Sequence, residues 1–285
     1  MSTSNLARTQ AGTPDCGARQ YVAIWIFVSL ALGLAGLHAL VFELAARGAL
    51  GFDPPRDVLN GLRSYGPALA ALVAIGYGQG RTGLRSLRDR LLRWRVARST
   101  YAMAVAVPLV AMALALCTVA IAHGALAPAA EPRLGRLLLI FLVLPLLDGP
   151  LGEEIGWRGY LLPTLTRRHG VIVAAVAVAV VWYLWHLPLY FADGRELTAP
   201  FLGRYFVFML ALSFAQAWLF QRSGQSLVIA ILFHNMTNYV VLVGFTLFPA
   251  VRGFPLYNDA YLLAMVGFGA FAALSLVRGG EKKSE

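Results

Sequence analysis

Eight apolar runs dominate this chain, each roughly 17–23 residues long, the length an α-helix needs to cross a bilayer. They fall at 21–42, 57–78, 101–123, 137–157, 171–191, 202–220, 227–248 and 261–277. The second is the least regular, interrupted by Arg63 and Pro67, and the long gap between the third and fourth has room for an interfacial piece. Hydrophobic residues make up 59% of the 285 and charged ones 13%, and the mean hydropathy is +0.67. Those values exclude an ordinary soluble domain. The expected fold is all-α: a polytopic transmembrane helical bundle of about eight spans, with a core of four carrying the site.

No internal repeat, low-complexity tract or long linker divides the chain, so 1–285 reads as a single integral membrane domain. Within it, 1–20 is a polar tail without a signal-peptide pattern, 80–99 is a basic loop or surface helix, 137–250 is the core, and 278–285 is a second tail. The net charge of +10 is concentrated rather than spread, with seven arginines and one aspartate in residues 80–99. That pattern excludes a nucleic-acid-binding face and reads instead as a cytoplasmic loop. With both termini cytoplasmic, 16 Lys and Arg residues lie inside and 8 outside. The leucines and arginines of 84–95 suggest an amphipathic helix lying on anionic membrane lipids. Arginine outnumbers lysine 22 to 2, which points to a GC-rich genome and a bacterial cytoplasmic membrane. Cys16 and Cys117 stand alone and form no metal or redox motif.

Ionisable groups within spans are expensive and mark functional sites by default. Three segments carry them: "GEEIGWR" (152–158), "WYLWHLP" (182–188) and "FHNMTN" (233–238). On a helix Glu154 and Arg158 stand four apart in the favourable order for an ion pair. Glu153 lies about 100° round the axis, so it is left to face a cavity; an ordinary salt bridge near a helix end is the plain alternative. In the second segment Trp182, His186 and Tyr190 share a stripe, and Pro188 leaves the Leu184 carbonyl without its helical donor. In the third, His234 and Asn238 share a face at i, i+4. Either histidine can be a structural hydrogen-bonding residue, and the third segment can be helix–helix glue.

Residues 153 and 186 lie symmetrically about "TRRHG" (166–170), so an antiparallel hairpin brings them level. His234 sits roughly 15 Å past its own turn and Glu153 roughly 25 Å from the other. They meet only if the first hairpin projects about two turns further. A carboxylate, two histidines and an amide in a dry pocket suit hydrolysis of an acyl bond, with the carboxylate as general base and the amide as oxyanion donor. Glu153, His186 and His234 are equally a possible zinc set. Ser213 lies within a span, but no nucleophile elbow is present.

The three segments resemble the CPBP family of CAAX proteases and bacteriocin-processing enzymes, also called ABI. "EEIGWR" matches EExxxR and "HNMTN" matches HxxxN, while the middle motif FxxxH here reads "WYLWH", with Trp182 in place of phenylalanine. The arginine-rich run ending "LLRWRVARSTY" is also similar, and the likeness covers roughly residues 80–250. It implies an intramembrane endopeptidase acting on a peptide or lipidated-protein substrate; eukaryotic members trim prenylated CaaX tails. It assigns Glu153 and His186 to water activation and His234 and Asn238 to the oxyanion, with Glu154 and Arg158 in support. Glutamate catalysis without a cofactor is favoured over a zinc metalloprotease. The alternatives are a non-catalytic member acting in bacteriocin immunity or as a scaffold, and a proton-coupled transporter.

Overall fold

A computed structural model describes residues 14–131, 134–147 and 149–281, and all regular structure among them is helical. The helices are α1 (Pro14–Ala46), α2 (Arg56–Ser64), α3 (Gly66–Gly78), α4 (Gly80–Leu91), α5 (Arg98–His123), α6 (Leu134–Leu147) and α7 (Pro150–Gly156). A π turn, Trp157–Leu161, leads into α8 (Leu162–Ala192), followed by α9 (Ala199–Arg222), α10 (Leu227–Leu247), a 3₁₀ turn (Pro249–Gly253) and α11 (Pro255–Glu281).

Among the described residues, seven helical runs are long and apolar enough to cross a membrane. One of them, Leu134–Ala192, has 59 residues, about 90 Å if straight. It doubles back. Gly170 has a non-helical φ of 77° and ψ of 163°, and Trp182 Nε1 lies 2.6 Å from Glu153 Oε2 although 29 residues separate them. An unbroken helix would hold those residues about 43 Å apart. The run therefore supplies two crossings, giving the eight expected from hydropathy.

The side chains are arranged inside out relative to a soluble protein. Trp25, Leu37, Ile121, Leu138, Leu263 and Leu274 are exposed, whereas Glu153, Glu154, Arg158, Gln216 and His234 are buried. Lipid accepts that apolar exterior, and the interior satisfies the polar groups. The chain is an integral, multi-pass membrane protein.

Packing relies on small residues, because lipid tails remove the hydrophobic drive that water would supply. Ala23, Phe27, Ala31 and Ala35 form a fully buried stripe at every fourth residue of α1. This helix packs against α3, which buries Ala70, Ala71 and Ala74. Helices α9 and α5 both pack on α11, α8 packs on α9 and α1, and α10 packs on α5. Short α7 lies against α3 and also meets α10, so it is held between the two halves of the bundle.

Four boundaries differ from the sequence reading. The second span is two helices, α2 and α3, meeting at Tyr65, whose hydroxyl donates to the Leu146 carbonyl of α6 at 2.5 Å. The fourth span breaks before Pro150, where Gly149 takes a φ of 107°. The amphipathic helix expected over 84–95 is α4, which stops at Leu91. The polar tail 1–20 is helical from Pro14, while residues 1–13 lie outside the described residues. Residues 124–131 contain no helix, and the Ala129 amide donates to the Leu247 carbonyl at the end of α10.

Candidate active site

The carboxylates stand on α7 because that helix has one side with no room for a side chain. A Cβ on Gly152 would run into the Ser64 carbonyl and Tyr65, and one on Gly156 would stand 2.5–2.8 Å from Pro67. A Cβ on Gly159 would stand 2.7 Å from Leu87 of α4. With the glycine side pressed on α3 and α4, the opposite side carries Glu153 and Glu154 toward α8, α9 and α10. The π turn follows at once, an insertion often found at functional sites.

Glu154 is fully enclosed. Its Oε1 accepts from Arg158 Nη1 at 2.9 Å, from His234 Nδ1 at 2.8 Å and from Gln216 Nε2 at 3.3 Å. The ion pair with Arg158 has both side chains at 0% exposure, so each charge depends on the other. Glu153 meets different company. Its Oε2 accepts from the indole of Trp182 at 2.6 Å and from that of Trp157 at 3.3 Å. His186, His234 and Arg63 interact with it electrostatically.

Trp182 is the hub. Its ring centroid is 5.3 Å from that of His234 and 6.0 Å from that of His186, and the Arg158 guanidinium lies over it at 4.4 Å. His186 is boxed by aromatic rings, with Trp185 at 4.8 Å, Tyr205 at 5.8 Å and Tyr190 at 6.4 Å. The Arg63 guanidinium covers the Trp185 ring at 4.0 Å.

The histidine tautomers follow from their neighbours. His186 Nδ1 lies 2.9 Å from the Trp182 carbonyl, which can only accept, so Nδ1 carries the proton. His234 Nδ1 likewise donates to the Glu154 carboxylate. Each ring is thereby oriented with Nε2 as its remaining functional atom.

The structure thus brings together Glu153, Glu154, Arg158, His186 and His234. Asn238, one turn beyond His234, is exposed. Its neighbour Asn235 is buried and donates through Nδ2 to the Phe141 carbonyl at 3.1 Å. Ser213 donates to the Ala175 carbonyl at 2.7 Å and acts as helix glue. Sequence reading overlooked Trp157, Gln216 and the glycine side of α7, and it treated Arg63 only as a span interruption. Gln216 carried a usable signal, a strongly polar residue in mid-span.

A zinc ion needs three or four convergent ligands. Among the described residues no three His, Cys, Asp or Glu side chains converge in that way. Glu153 Oε2 is already occupied by two indole donors. The residues as arranged do not fit a zinc site, and no step below passes through a metal.

Residues 135–240 match the family model described as Type II CAAX prenyl endopeptidase Rce1-like. The segment that carries the site is thus similar to that family. A curated relative, CAAX prenyl protease 2 of Methanococcus maripaludis, is 29% identical over 92 residues, covering 30% of this chain and 34% of that protein. The match thus spans about a third of the relative's length. The Rce1-like segment includes both carboxylates, both histidines, Trp182, Gln216 and Asn238, whereas Arg63 and Leu87 lie outside it.

Proposed function

We propose that this protein is an intramembrane endopeptidase that cleaves a peptide bond near the lipidated C-terminus of a membrane-associated substrate, with Glu153 as general base. The observation that carries the reading is the contrast between neighbours: Glu154 is consumed by Arg158, His234 and Gln216, while Glu153 is bound by the indoles of Trp182 and Trp157, and the Trp182 ring lies against both histidines. The family description and the name of the archaeal relative supply the substrate class.

In this reaction Glu153 takes a proton from a water molecule that His186 Nε2 orients. The water oxygen bonds to the scissile carbonyl carbon, and negative charge moves to the carbonyl oxygen. His234, protonated on both nitrogens with its Nδ1 held by Glu154, donates its Nε2 proton to that oxyanion; Asn238, exposed on α10, takes no part. The carbon–nitrogen bond then breaks, and the proton held by Glu153 passes to the leaving amine. This division of labour parallels other acyl-transfer sites, where a buried carboxylate orients the histidine. The arginine-rich α4 faces the cytoplasm of a bacterial membrane, and both termini lie on that side.

The test is cleavage of quenched, C-terminally lipidated peptides by the purified chain in detergent. Wild type is compared with Glu153→Gln and His234→Ala, each with and without a strong zinc chelator. Losses of about 100-fold or more in both variants, with no effect of chelator, are expected. Undiminished cleavage by Glu153→Gln would overturn the assignment, and loss on chelation would make the enzyme metal-dependent.

A further inference from the structure

On the arginine-rich side, away from the carboxylates, α4 and the turn between α9 and α10 border an open polar cavity of about 360 Å³. Arg85, Arg90 and Arg93 line it, with Ser86 and the Gly224–Gln225 turn. A membrane protein has every reason to place arginines near headgroups, but three features here go beyond a topology signal.

First, the cavity holds more positive than negative charge. Its one carboxylate, Asp89, is paired with Arg88 at 2.9 Å. Arg90 spends its donors on neutral oxygens, the Gln225 side chain at 2.9 Å and the Gly159 carbonyl at 3.1 Å. Burial, and then the like charges of Arg167 and Arg93, push the Arg90 guanidinium below its ordinary value.

Second, the opposite wall is strained. Gln225 has a φ of 70°, and it is the one non-glycine residue at positive φ among the described residues. Such a conformation costs roughly 1 kcal/mol or more and persists where the surroundings impose it. The Arg90 bond holds the Gln225 side chain. Arg93 closes over the neighbouring glycine, so that a Cβ on Gly224 would stand 3.4 Å from Arg93 Nη1.

Third, Leu84, Leu92 and Trp94 are exposed beside the arginines. Exposed tryptophan and leucine next to arginine is the composition of a segment lying at headgroup depth.

We propose that this cavity binds a phosphate group, as carried by the headgroup of an anionic phospholipid. A tetrahedral anion at its centre would receive forked guanidinium donors from Arg85 and Arg93, with the Ser86 hydroxyl as a further donor. Arg90 forms the fixed floor. That same side chain holds the Gly159 carbonyl of the π turn, so one hydrogen bond ties the site to the turn that follows the helix of Glu153 and Glu154. The inference does not rest on the catalytic reading, and its test measures binding alone.

The experiment uses the full chain, delipidated in a neutral detergent, with two probes: a short-chain phosphatidylglycerol and inorganic phosphate. Native mass spectrometry and thermal shift report occupancy. Wild type is expected to take up one saturable equivalent. Arg85→Gln and Arg93→Gln are each expected to weaken it about tenfold, while Arg81→Gln, which removes an equal charge from the exposed face of α4 outside the cavity, leaves it unchanged. Ser86→Glu keeps every arginine and places a carboxylate in the cavity, so it should abolish uptake and guards against misfolding of the arginine variants. Uptake of the lipid alone assigns the headgroup; uptake of both probes at the same residues assigns a free phosphate site of the same chemistry. Absence of saturable uptake of either probe, or equal weakening by Arg81→Gln, overturns the proposal.

Discussion

Glu153 and Glu154 are adjacent in sequence, yet their surroundings have little in common. Around Glu154 three donors, Arg158, His234 and Gln216, converge on one oxygen. Around Glu153 the two donors are indoles. The first arrangement is what a buried charge needs in order to persist. The second orients a carboxylate while leaving it chemistry to do. A single residue step, about 100° round the helix, therefore separates the acid held in an ion pair from the one we propose to react, and the difference lies in the partners rather than the residue type.

The sharpest break of that comparison is a matched pair of substitutions. Glu153→Gln is expected to lower kcat for lipopeptide cleavage by about 10³-fold while leaving the melting temperature within a degree or two. Glu154→Ala should do the reverse first, destabilising the fold by about 3 kcal/mol or more because Arg158 is left buried without its counter-charge. The double variant Glu154→Ala/Arg158→Met should recover much of that loss, as measured by thermal unfolding in detergent. If Glu153→Gln unfolds the protein and Glu154→Ala does not, the roles are exchanged.

Smaller changes sharpen the same contrast. Gly156→Ala pushes a methyl into Pro67 and is expected to cost about 1–3 kcal/mol, shifting both carboxylates together. Trp182→Phe restores the aromatic that the CPBP motif carries and deletes the 2.6 Å bond to Glu153. We expect cleavage to slow roughly tenfold, in keeping with one lost hydrogen bond to a charged group, with stability little changed. Gln216→Leu removes the weakest bond to Glu154, 3.3 Å long, and should cost about 1 kcal/mol, with kcat unaltered.

What was legible in the sequence was local or symmetric. The spans follow from composition over twenty residues, and the Glu154–Arg158 pair follows from a spacing of four on one helix. The 153–186 pairing is legible because a hairpin places equidistant residues at equal depth. Even the projection of that hairpin is seen: Glu154 meets His234, although Gly170 lies about 24 Å along the chain from Glu154 and Ser226 about 12 Å from His234. What was hidden depends on how helices roll about their axes. Asn238 shares the i, i+4 spacing with His234, yet the roll of α10 leaves it exposed. Trp182 was read as an aromatic on a stripe, because nothing in spacing tells where an indole N–H points. Gln216 comes from a helix that is not a neighbour in the hairpin, so no periodicity connects it to Glu154.

The two indole bonds to Glu153 also give the protein a built-in gauge. The chain has six tryptophans, and an indole proton shared with a carboxylate resonates well away from one facing lipid. In a sample with ¹⁵N-labelled tryptophan, Trp157 and Trp182 will stand apart from the rest. Their signals will move together whenever that carboxylate takes up a proton or yields an oxygen to something new, so events at the centre of the bundle can be followed without attaching a probe.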